Sequence, residues 1–186
     1  MQMQEMIHCL ECNPVIAAVR DDKWDLAISG PADVLFYLSA ELMSVQQRIL
    51  QAHEAGKKVF VHLDLAEGIG KDRAGVRYLA QCGADGIIST RAQLIKLAKD
   101  QQLLTVQRFF ALDSQGLDSI DEMLERSTPH MMEIMPGVIG KVLRRFEKTR
   151  IPIIAGGLLT TKAEVTEALK NGAMAVSTGS EALWDC

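Results

Sequence analysis

The sequence predicts an α/β fold: a compact TIM-type (β/α)8 barrel of parallel strands, formed by a single domain over residues 1–186. Eight short apolar runs alternate with amphipathic stretches of helical period, as expected when parallel strands are buried beneath helices. No Pro/Gly/Ser-rich linker or charge block divides the chain. Eight units leave about 23 residues each, close to the minimum for a strand, a helix and two connections. An open, doubly wound sheet is the alternative on this pattern.

The predicted strands are the apolar runs, in order Val15–Val19, Val34–Leu38, Val59–Leu63, Gly86–Ile88, Leu103–Val106, Met131–Ile134, Ile151–Ala155 and Ala173–Val176. Helical patterns lie between them, for example at Lys162–Asn171. Glycine follows three of these helices, at Gly56, Gly83 and Gly172, where it can end a helix before the next strand. Residues 1–12 precede the first strand and are expected to form a helix that covers the bottom of the barrel.

Composition excludes several functional classes. Hydrophobic residues make up 48% of the chain and charged residues 24%, the balance of a folded globular protein. The formal net charge is −4, so contact with nucleic acid or a membrane would require a local basic patch. No apolar run approaches the roughly 18–20 residues of a membrane span, and the amino end lacks the features of a secretory signal. With four cysteines in no dense framework, the simplest interpretation is a reduced, cytoplasmic protein.

Neither a metal site nor another cofactor is predicted. His8, Cys9 and Cys12 have the spacing of half a zinc site, but no second Cys/His pair follows at the spacing of a zinc finger. The segment that carries them is better explained as part of the amino-terminal helix.

Polar side chains are expected where the strands end. Because the strand face that packs on helices must be apolar, the opposite face turns to the barrel axis. On this argument Leu104 and Val106 face the helices and Gln107 faces the axis. The inward groups nearest the strand tips are then Arg20, Asp64, Ser89, Gln107, Glu133 and Ser177. Together they favour a pocket for a small polar ligand; the alternative is that strand ends are simply wetter.

Two glycine-containing loops predict a phosphate site within this pocket. Gly156 and Gly157 follow the seventh strand, and Ser177, Thr178 and Gly179 follow the eighth, which leads into a short helix at 180–184. Glycine lets backbone N–H groups approach a ligand closely, and the amino end of a helix favours an anion. The loops after strands seven and eight are the recurrent phosphate site of this fold.

The other side of the pocket is expected to bind hydroxyl groups. Its predicted residues are Asp64, Glu67, Gln107 and Glu133, whose carboxylate and amide groups suit a small phosphorylated polyol. Arg20 or Arg108 would offset the anionic charge, although the strand parity places Arg108 on the helix side.

The same residues leave an enzyme as the alternative to a binding protein. Asp64 and Glu133 could act as an acid/base pair in an isomerase or lyase of small phosphates. However, no lysine stands at a strand tip, as a Schiff-base aldolase would need, and His62 is better explained as a hydrogen-bonded interior histidine. A non-catalytic protein with no catalytic residue is therefore favoured.

One basic surface is a candidate for RNA. On a helix predicted over 138–148, four cations fall at i, i+3, i+4 and i+7: Lys141, Arg144, Arg145 and Lys148. They form either the solvated outer face of a barrel helix or a patch that contacts an RNA backbone.

Five strings of the chain identify a family. They are VFVHLDLAEGIGKD, DGIISTRAQLIKLAK, TVQRFFALDS, MEIMPGV and IPIIAGGLLTTKAEV with GAMAVSTGSEALW, and the resemblance that they carry extends from about Pro14 to Trp184. In combination they resemble the glycerol-3-phosphate-responsive antiterminator regulators of bacterial glycerol-utilisation operons. The resemblance implies a TIM-barrel-like regulator that senses glycerol 3-phosphate and acts on leader mRNA to prevent premature transcription termination.

The resemblance also implies site residues and partners. By position it points to Asp64, Glu67, Ser89, Thr90, Gln107, Arg108, Glu133, Pro136, Gly137, Gly156, Gly157, Ser177 and Thr178. Gly179 and Ser180 transfer less securely, and the residues that contact RNA do not transfer. The expected partners are glycerol 3-phosphate, leader mRNA and further copies of the chain in a homo-oligomer, with no membrane.

Overall fold

The eight apolar runs form eight parallel strands that close into a barrel in the computed structural model. The structure describes residues 2–186, so Met1 of the predicted segment 1–12 lies outside the described residues. Sequence neighbours pair throughout, and β1 pairs with β8 to close the sheet, so the (β/α)8 prediction is confirmed. The strands are β1 Val15–Val19, β2 Val34–Tyr37, β3 Lys58–His62, β4 Gly86–Ser89, β5 Leu104–Phe110, β6 Met131–Met135, β7 Ile153–Gly156 and β8 Ala175–Thr178.

The helices surround the barrel, except for the first. They are α1 Met3–Cys12, α2 Trp24–Ser29, α3 Val45–Glu54, α4 Arg73–Gln81, α5 Ala92–Asp100, α6 Ser114–Ser127, α7 Gly140–Arg145 and α8 Lys162–Lys170. Single 3-10 turns follow β1, β3 and β8, at Asp21–Lys23, Leu63–Leu65 and Glu181–Leu183. The helix predicted after β8 is thus only one 3-10 turn, and α7 is shorter than the predicted 138–148.

Local sequence explains where several helices begin and end. Thr161 caps α8, since its side chain accepts from the Glu164 N–H while the Glu164 carboxylate accepts from the Thr161 N–H. Asp72 caps α4 in the same position. The three predicted helix-ending glycines all have positive φ, from 75° to 98°, which a residue with a Cβ adopts only with strain.

The core consists of two apolar layers that the barrel separates. The outer layer lies between strands and helices and includes Val61, Met132 and Val176. The inner layer fills the barrel and includes Phe60 and Met131. Two side chains of α1 belong to this inner layer: Met6 and Leu10 are fully buried there, so the amino-terminal helix closes the bottom of the barrel.

The strand parity predicted for β5 is wrong. Leu104 and Val106 lie in the inner layer, so Gln107 turns to the helices and Arg108 turns to the axis. The outward polar groups find partners there, because the Gln107 amide oxygen accepts a hydrogen bond from Ser127 of α6 and Thr105 bonds His130, although Gln107 Nε2 is buried without a partner within residues 2–186. The helix-facing side of β5 is therefore partly polar, whereas the parity argument requires that side to be apolar.

Candidate ligand-binding site

A cavity of about 390 Å³ opens at the carboxyl ends of the strands. The loops after β1, β7 and β8 form its wall, together with Arg108 of β5 and Met135 of β6. Its volume lies within the roughly 300–1,000 Å³ of small-molecule sites. Because this end of the barrel is where the fold carries its functional groups, the cavity is the candidate site.

Four of the five predicted phosphate residues line this cavity: Gly157, Ser177, Thr178 and Gly179. The side chain of Thr178 is already engaged, because its hydroxyl donates to the Leu159 carbonyl at 3.0 Å. Its own carbonyl accepts from Trp184 Nε1 at 2.9 Å. Thr178 therefore fixes the β7 and β8 loops to each other, and the glycines remain as the points where backbone approaches a ligand.

Gly156 does not line the cavity, and its role differs from the predicted one. A Cβ at this position would lie 2.5 Å from Glu133 Oε1 and 2.8 Å from Ser177 Oγ. Glu133 of β6 reaches over β7 at this point and accepts a hydrogen bond from Ser177 of β8 at 2.5 Å. Glycine is required at 156 because a side chain there would collide with this bond.

Glu133 also holds Arg108, which the predicted parity had placed on the helix side. Arg108 Nε donates to Glu133 Oε2 at 2.5 Å, and the Glu133 side chain is completely buried. Arg108 itself reaches the cavity. Hydrogen bonds thus connect β5, β6 and β8 in one continuous network of Arg108, Glu133 and Ser177 directly beneath the cavity.

Of the residues predicted for the polyol side, only Arg20 lines the cavity. Asp64 accepts from Ser89 Oγ at 3.0 Å and from the Thr90 N–H at 2.7 Å, so it joins the ends of β3 and β4. Ser89 follows the inward Ile88 and therefore points away from the axis. Glu67 is exposed, and its backbone bridges to Glu41. Gln107 lies on the helix side, as described above.

The sequence reasoning missed two charged residues of the wall, Asp22 and Lys23, and it placed Arg108, named as a possible counter-charge, on the wrong face of β5. Asp22 and Lys23 lie in the 3-10 turn after β1, and no periodic pattern marks such a turn. The face of Arg108 could have been assigned correctly by requiring that the barrel interior be as apolar in β5 as it is in the other strands.

The wall of the cavity carries more positive than negative charge. Arg20, Lys23 and Arg108 face a single lining carboxylate, Asp22. Lys23 is fixed to the opposite wall, because it pairs with Glu181 at 2.9 Å and donates to the Gly179 carbonyl at 3.3 Å. Such a surface suits a small anion that also carries hydrogen-bonding groups.

His62 lies beneath the cavity as an interior residue. Its neighbour Phe60 two residues earlier belongs to the inner layer, so His62 also faces the axis. Its Nδ1 is buried and has no hydrogen-bond partner within residues 2–186, contrary to the expected hydrogen-bonded histidine. Burial, together with the nearby Arg108, lowers the pKa of His62 to about 4. The imidazole is therefore neutral at physiological pH.

We expect His62 to make the fold less stable in acid. An unfolded histidine binds a proton below about pH 6.5, whereas the folded one does so only near pH 4, so the unfolded state takes up more protons between these values. The free energy of unfolding should fall as pH drops through this window, by an amount on the order of 3 kcal/mol. Denaturant titrations at several pH values check this.

The matched comparison is His62→Gln, which removes the titrating group. The variant should lose less stability than the wild type between pH 6.5 and 4, while His130, whose pKa burial also lowers, contributes equally to both proteins. Parallel stability curves for the two proteins would contradict the role assigned to His62.

The basic stripe proposed for RNA is only partly free. The α7 helix ends at Arg145, so Lys148 lies beyond it. Arg144 donates to Asn171 Oδ1, and Arg145 pairs with Asp118 at 2.8 Å and Asp121 at 3.1 Å. Lys141 and Lys148 are exposed and make no ion pair within residues 2–186. The neighbouring acids of α6 thus reduce the positive charge of the stripe.

Residues 2–186 contain neither a membrane-spanning helix nor a cluster of metal ligands. No helix there has the length and apolar character needed to cross a membrane. No group of three or more His, Cys, Asp or Glu side chains there could hold a metal ion, and the thiol of Cys12 lies beside His8 alone, with Sγ and Nε2 3.9 Å apart.

Comparison with known proteins decides the family. Residues 15–184 match the glycerol-3-phosphate responsive antiterminator family. The chain belongs to this antiterminator family. The match covers almost all of the barrel and includes every strand, so the sequence resemblance is confirmed.

Two solved antiterminator structures are similar to this chain. One is a glycerol uptake operon antiterminator regulatory protein from Listeria monocytogenes, with 30% identity and a TM-score of 0.87 over 92% of this chain and 94% of that one. The other is a glycerol uptake operon antiterminator-related protein from Thermotoga maritima, with 32% identity and a TM-score of 0.84 over 94% and 99%. The uncharacterized protein YgcP of Escherichia coli (strain K12) is 35% identical over 182 residues, 96% of this chain and 95% of YgcP.

Enzymes also share the fold of this antiterminator family member. Aldolases, a decarboxylase and an epimerase superimpose with TM-scores of 0.68 to 0.72, but at only 10–17% identity. At this distance the likeness shows the (β/α)8 fold alone.

Proposed function

We propose that this protein senses glycerol 3-phosphate in the strand-tip cavity and, with the ligand bound, acts on operon leader mRNA as a cytoplasmic transcription antiterminator in bacteria. The single observation that carries the ligand assignment is the cavity between the β7 and β8 loops, which has Gly157 and Gly179 in its wall and the guanidinium groups of Arg20 and Arg108 at its surface. Membership of a glycerol-3-phosphate responsive family supports the identity of the ligand.

The wall suggests how the ligand is oriented. Gly157 and Gly179 lie where this fold recurrently binds phosphate, and Arg20 and Lys23 line the same cavity, with Lys23 held against Gly179 and paired with Glu181. Arg108 and Ser177 stand at its floor, where the glycerol part of the ligand would lie. A dianionic phosphate is thereby bound by charge and by backbone, and the rest of the molecule by side chains.

The positions of the two carboxylates favour a sensor over an isomerase or lyase. Glu133 is held by Arg108 and Ser177 and does not reach the cavity. Asp64 is held by the end of β4 and does not reach it either. Neither carboxylate is free to exchange a proton with a bound ligand, which is what general acid/base catalysis would require.

The surface that contacts RNA and the assembly are further parts of the proposal. We assign RNA contact to the face formed by α7 and the residues just after it, where Lys141 and Lys148 make no ion pair within residues 2–186, while Arg145 is largely neutralised by Asp118 and Asp121. A homo-oligomer is supported by large apolar side chains exposed around the mouth of the barrel, since Met43, Leu112 and Leu158 are 72–86% exposed. A change of assembly on ligand binding would couple the two sites.

Glycerol 3-phosphate should raise the affinity of the protein for leader RNA. We expect calorimetry to show ligand binding, and RNA titrations at several salt concentrations to show tighter binding in its presence. Gly157→Asp adds a carboxylate to the wall at the phosphate site, at a residue with φ +74° where a Cβ would lie 2.8 Å from Met135 Cε, so both effects should be lost. Sedimentation of the same samples reports the oligomeric state.

Replacement of Lys141 and Lys148 by Ala locates the RNA surface in the same experiment. It should weaken RNA binding and its salt dependence while leaving ligand binding intact. Equal RNA affinity with and without glycerol 3-phosphate would contradict the regulatory proposal. Ligand-dependent RNA binding by the double variant at wild-type strength would exclude only the α7 face.

A further inference from the structure

The orientation of one hydroxyl group in the cavity wall is fixed by its partner. Ser177 has a single O–H, and it donates this hydrogen to Glu133 Oε1 at 2.5 Å. Glu133 is paired with Arg108 and, as a carboxylate, can only accept. The Ser177 hydroxyl therefore has no hydrogen left for a ligand, and its oxygen can only accept a hydrogen bond from the cavity.

Because Ser177 Oγ can only accept a hydrogen bond from the cavity, it is not suited to contact a phosphate. Phosphate oxygens are acceptors at neutral pH, so a phosphate against Ser177 Oγ would place two acceptors in contact. A ligand group that donates is required there. A hydroxyl group of a polyol meets this requirement.

Arg108, on the same floor of the cavity, offers hydrogen-bond donors instead of an acceptor. It uses Nε for Glu133, and its terminal Nη1 and Nη2 groups make no hydrogen bond or ion pair within residues 2–186. Since Arg108 lines the cavity, these donors are available to an acceptor there. Ser177 and Arg108 thus offer one acceptor and a pair of donors, joined to each other through Glu133.

We infer that Ser177 and Arg108 hydrogen-bond the secondary hydroxyl of the ligand. Glu133 is the positioning residue that makes this site bind an alcohol in preference to a ketone. An alcohol can donate to Ser177 and accept from Arg108 at the same time, whereas a ketone oxygen only accepts. The secondary hydroxyl is the group concerned, because Ser177 stands two residues before Gly179 and therefore next to the phosphate. The inference rests on the proposed function, since it takes glycerol 3-phosphate as the ligand.

Direct binding measurements on the wild-type protein test the inference first. The probes are glycerol 3-phosphate, dihydroxyacetone phosphate, whose second carbon carries a ketone, and 3-hydroxypropyl phosphate, which lacks the group altogether. We expect glycerol 3-phosphate to bind at least about tenfold more tightly than either analogue, because each analogue leaves a hydrogen-bonding group of the site unpaired; tenfold corresponds to about 1.4 kcal/mol.

Two variants then identify the residues responsible. Ser177→Ala removes the acceptor, so the affinity for glycerol 3-phosphate should fall about tenfold and approach that for the ketone. In Glu133→Gln, the amide oxygen must accept from Arg108 Nε, which turns the amide NH2 toward Ser177. Ser177 then accepts from residue 133 and can donate to the ligand, so the preference for the alcohol should disappear or reverse.

The measured quantity is the ratio of the two dissociation constants, because a merely structural loss would weaken both ligands alike. Ser119→Ala on the exposed face of α6 is the matched control and should keep the wild-type ratio. If Glu133→Gln does not fold, the wild-type ratio and Ser177→Ala still decide the question.

Equal wild-type affinity for the alcohol and the ketone overturns the inference while leaving glycerol 3-phosphate binding in place. An unchanged ratio in Ser177→Ala overturns it as well. Failure of the wild-type protein to bind glycerol 3-phosphate at all would instead overturn the proposed function, and the inference with it.

Discussion

Replacing Arg108 by Met is expected to lower the free energy of unfolding by about 3–5 kcal/mol, because it leaves the completely buried Glu133 without its charge partner. The same change removes the donors that Arg108 offers to the cavity. The affinity for glycerol 3-phosphate should therefore fall about 30-fold or more, equivalent to about 2 kcal/mol. Denaturant unfolding and calorimetry measure the two effects separately.

A double variant separates stability from binding. Arg108→Met with Glu133→Gln removes both charges, so most of the lost stability should return, whereas ligand affinity should stay low. Arg91→Met is the control: Arg91 is 58% exposed and lies 3.5 Å from Asp64, so its loss should cost no more than about 1 kcal/mol. Wild-type ligand affinity in Arg108→Met would contradict the assignment of Arg108 to the site.

Replacing Gly156 by Ala should be the most damaging single-methyl change near the cavity. The new Cβ would lie 2.5 Å from Glu133 Oε1 and 2.8 Å from Ser177 Oγ, so the hydrogen bond that crosses β7 must break or shift. We expect a loss of about 1–3 kcal/mol in the free energy of unfolding, as for other overpacked sites. Ligand affinity should also fall about tenfold, because Ser177 is no longer oriented.

Gly116→Ala provides the comparison for this variant. Gly116 lies in the first turn of α6, where a Cβ would meet only Oδ1 of the capping Asp113, at 3.3 Å, and a carbonyl at 3.7 Å. Its stability should change by less than about 0.5 kcal/mol, with no effect on ligand binding. If Gly156→Ala also changed the free energy of unfolding by less than about 0.5 kcal/mol, the Ser177–Glu133 hydrogen bond that crosses β7 would be unimportant for stability.

The fold could be predicted because its signals are local and repeated. Short apolar runs, intervening helical patterns and glycines after the helices are each read within a few residues of the chain. The β7 and β8 loops were found in the same way, since Gly157 and Gly179 mark them directly. The errors in the strands were mostly at their ends: β5 extends to Phe110, four residues beyond the predicted run.

The composition of the site could be predicted only in part. Asp64 and Glu133 were recognised as polar groups at strand tips, but what they contact depends on neighbouring strands. Asp64 joins the end of β4, and Glu133 joins β5 to β8 beneath the cavity. The basic stripe on α7 gave a similar error, because the acids that pair with Arg145 lie on another helix, at Asp118 and Asp121.

The sequence by itself determined the (β/α)8 fold, the family and the two loops that form one wall of the cavity. Only the tertiary structure decided that Arg108 rather than Gln107 faces the axis and that Glu133 orients Ser177 instead of meeting the ligand. The physical reason is that both faces of a barrel strand are buried, so hydrophobicity does not distinguish inside from outside. A polar side chain is then tolerated on whichever face supplies a partner, and Ser127 on α6 supplied one to Gln107.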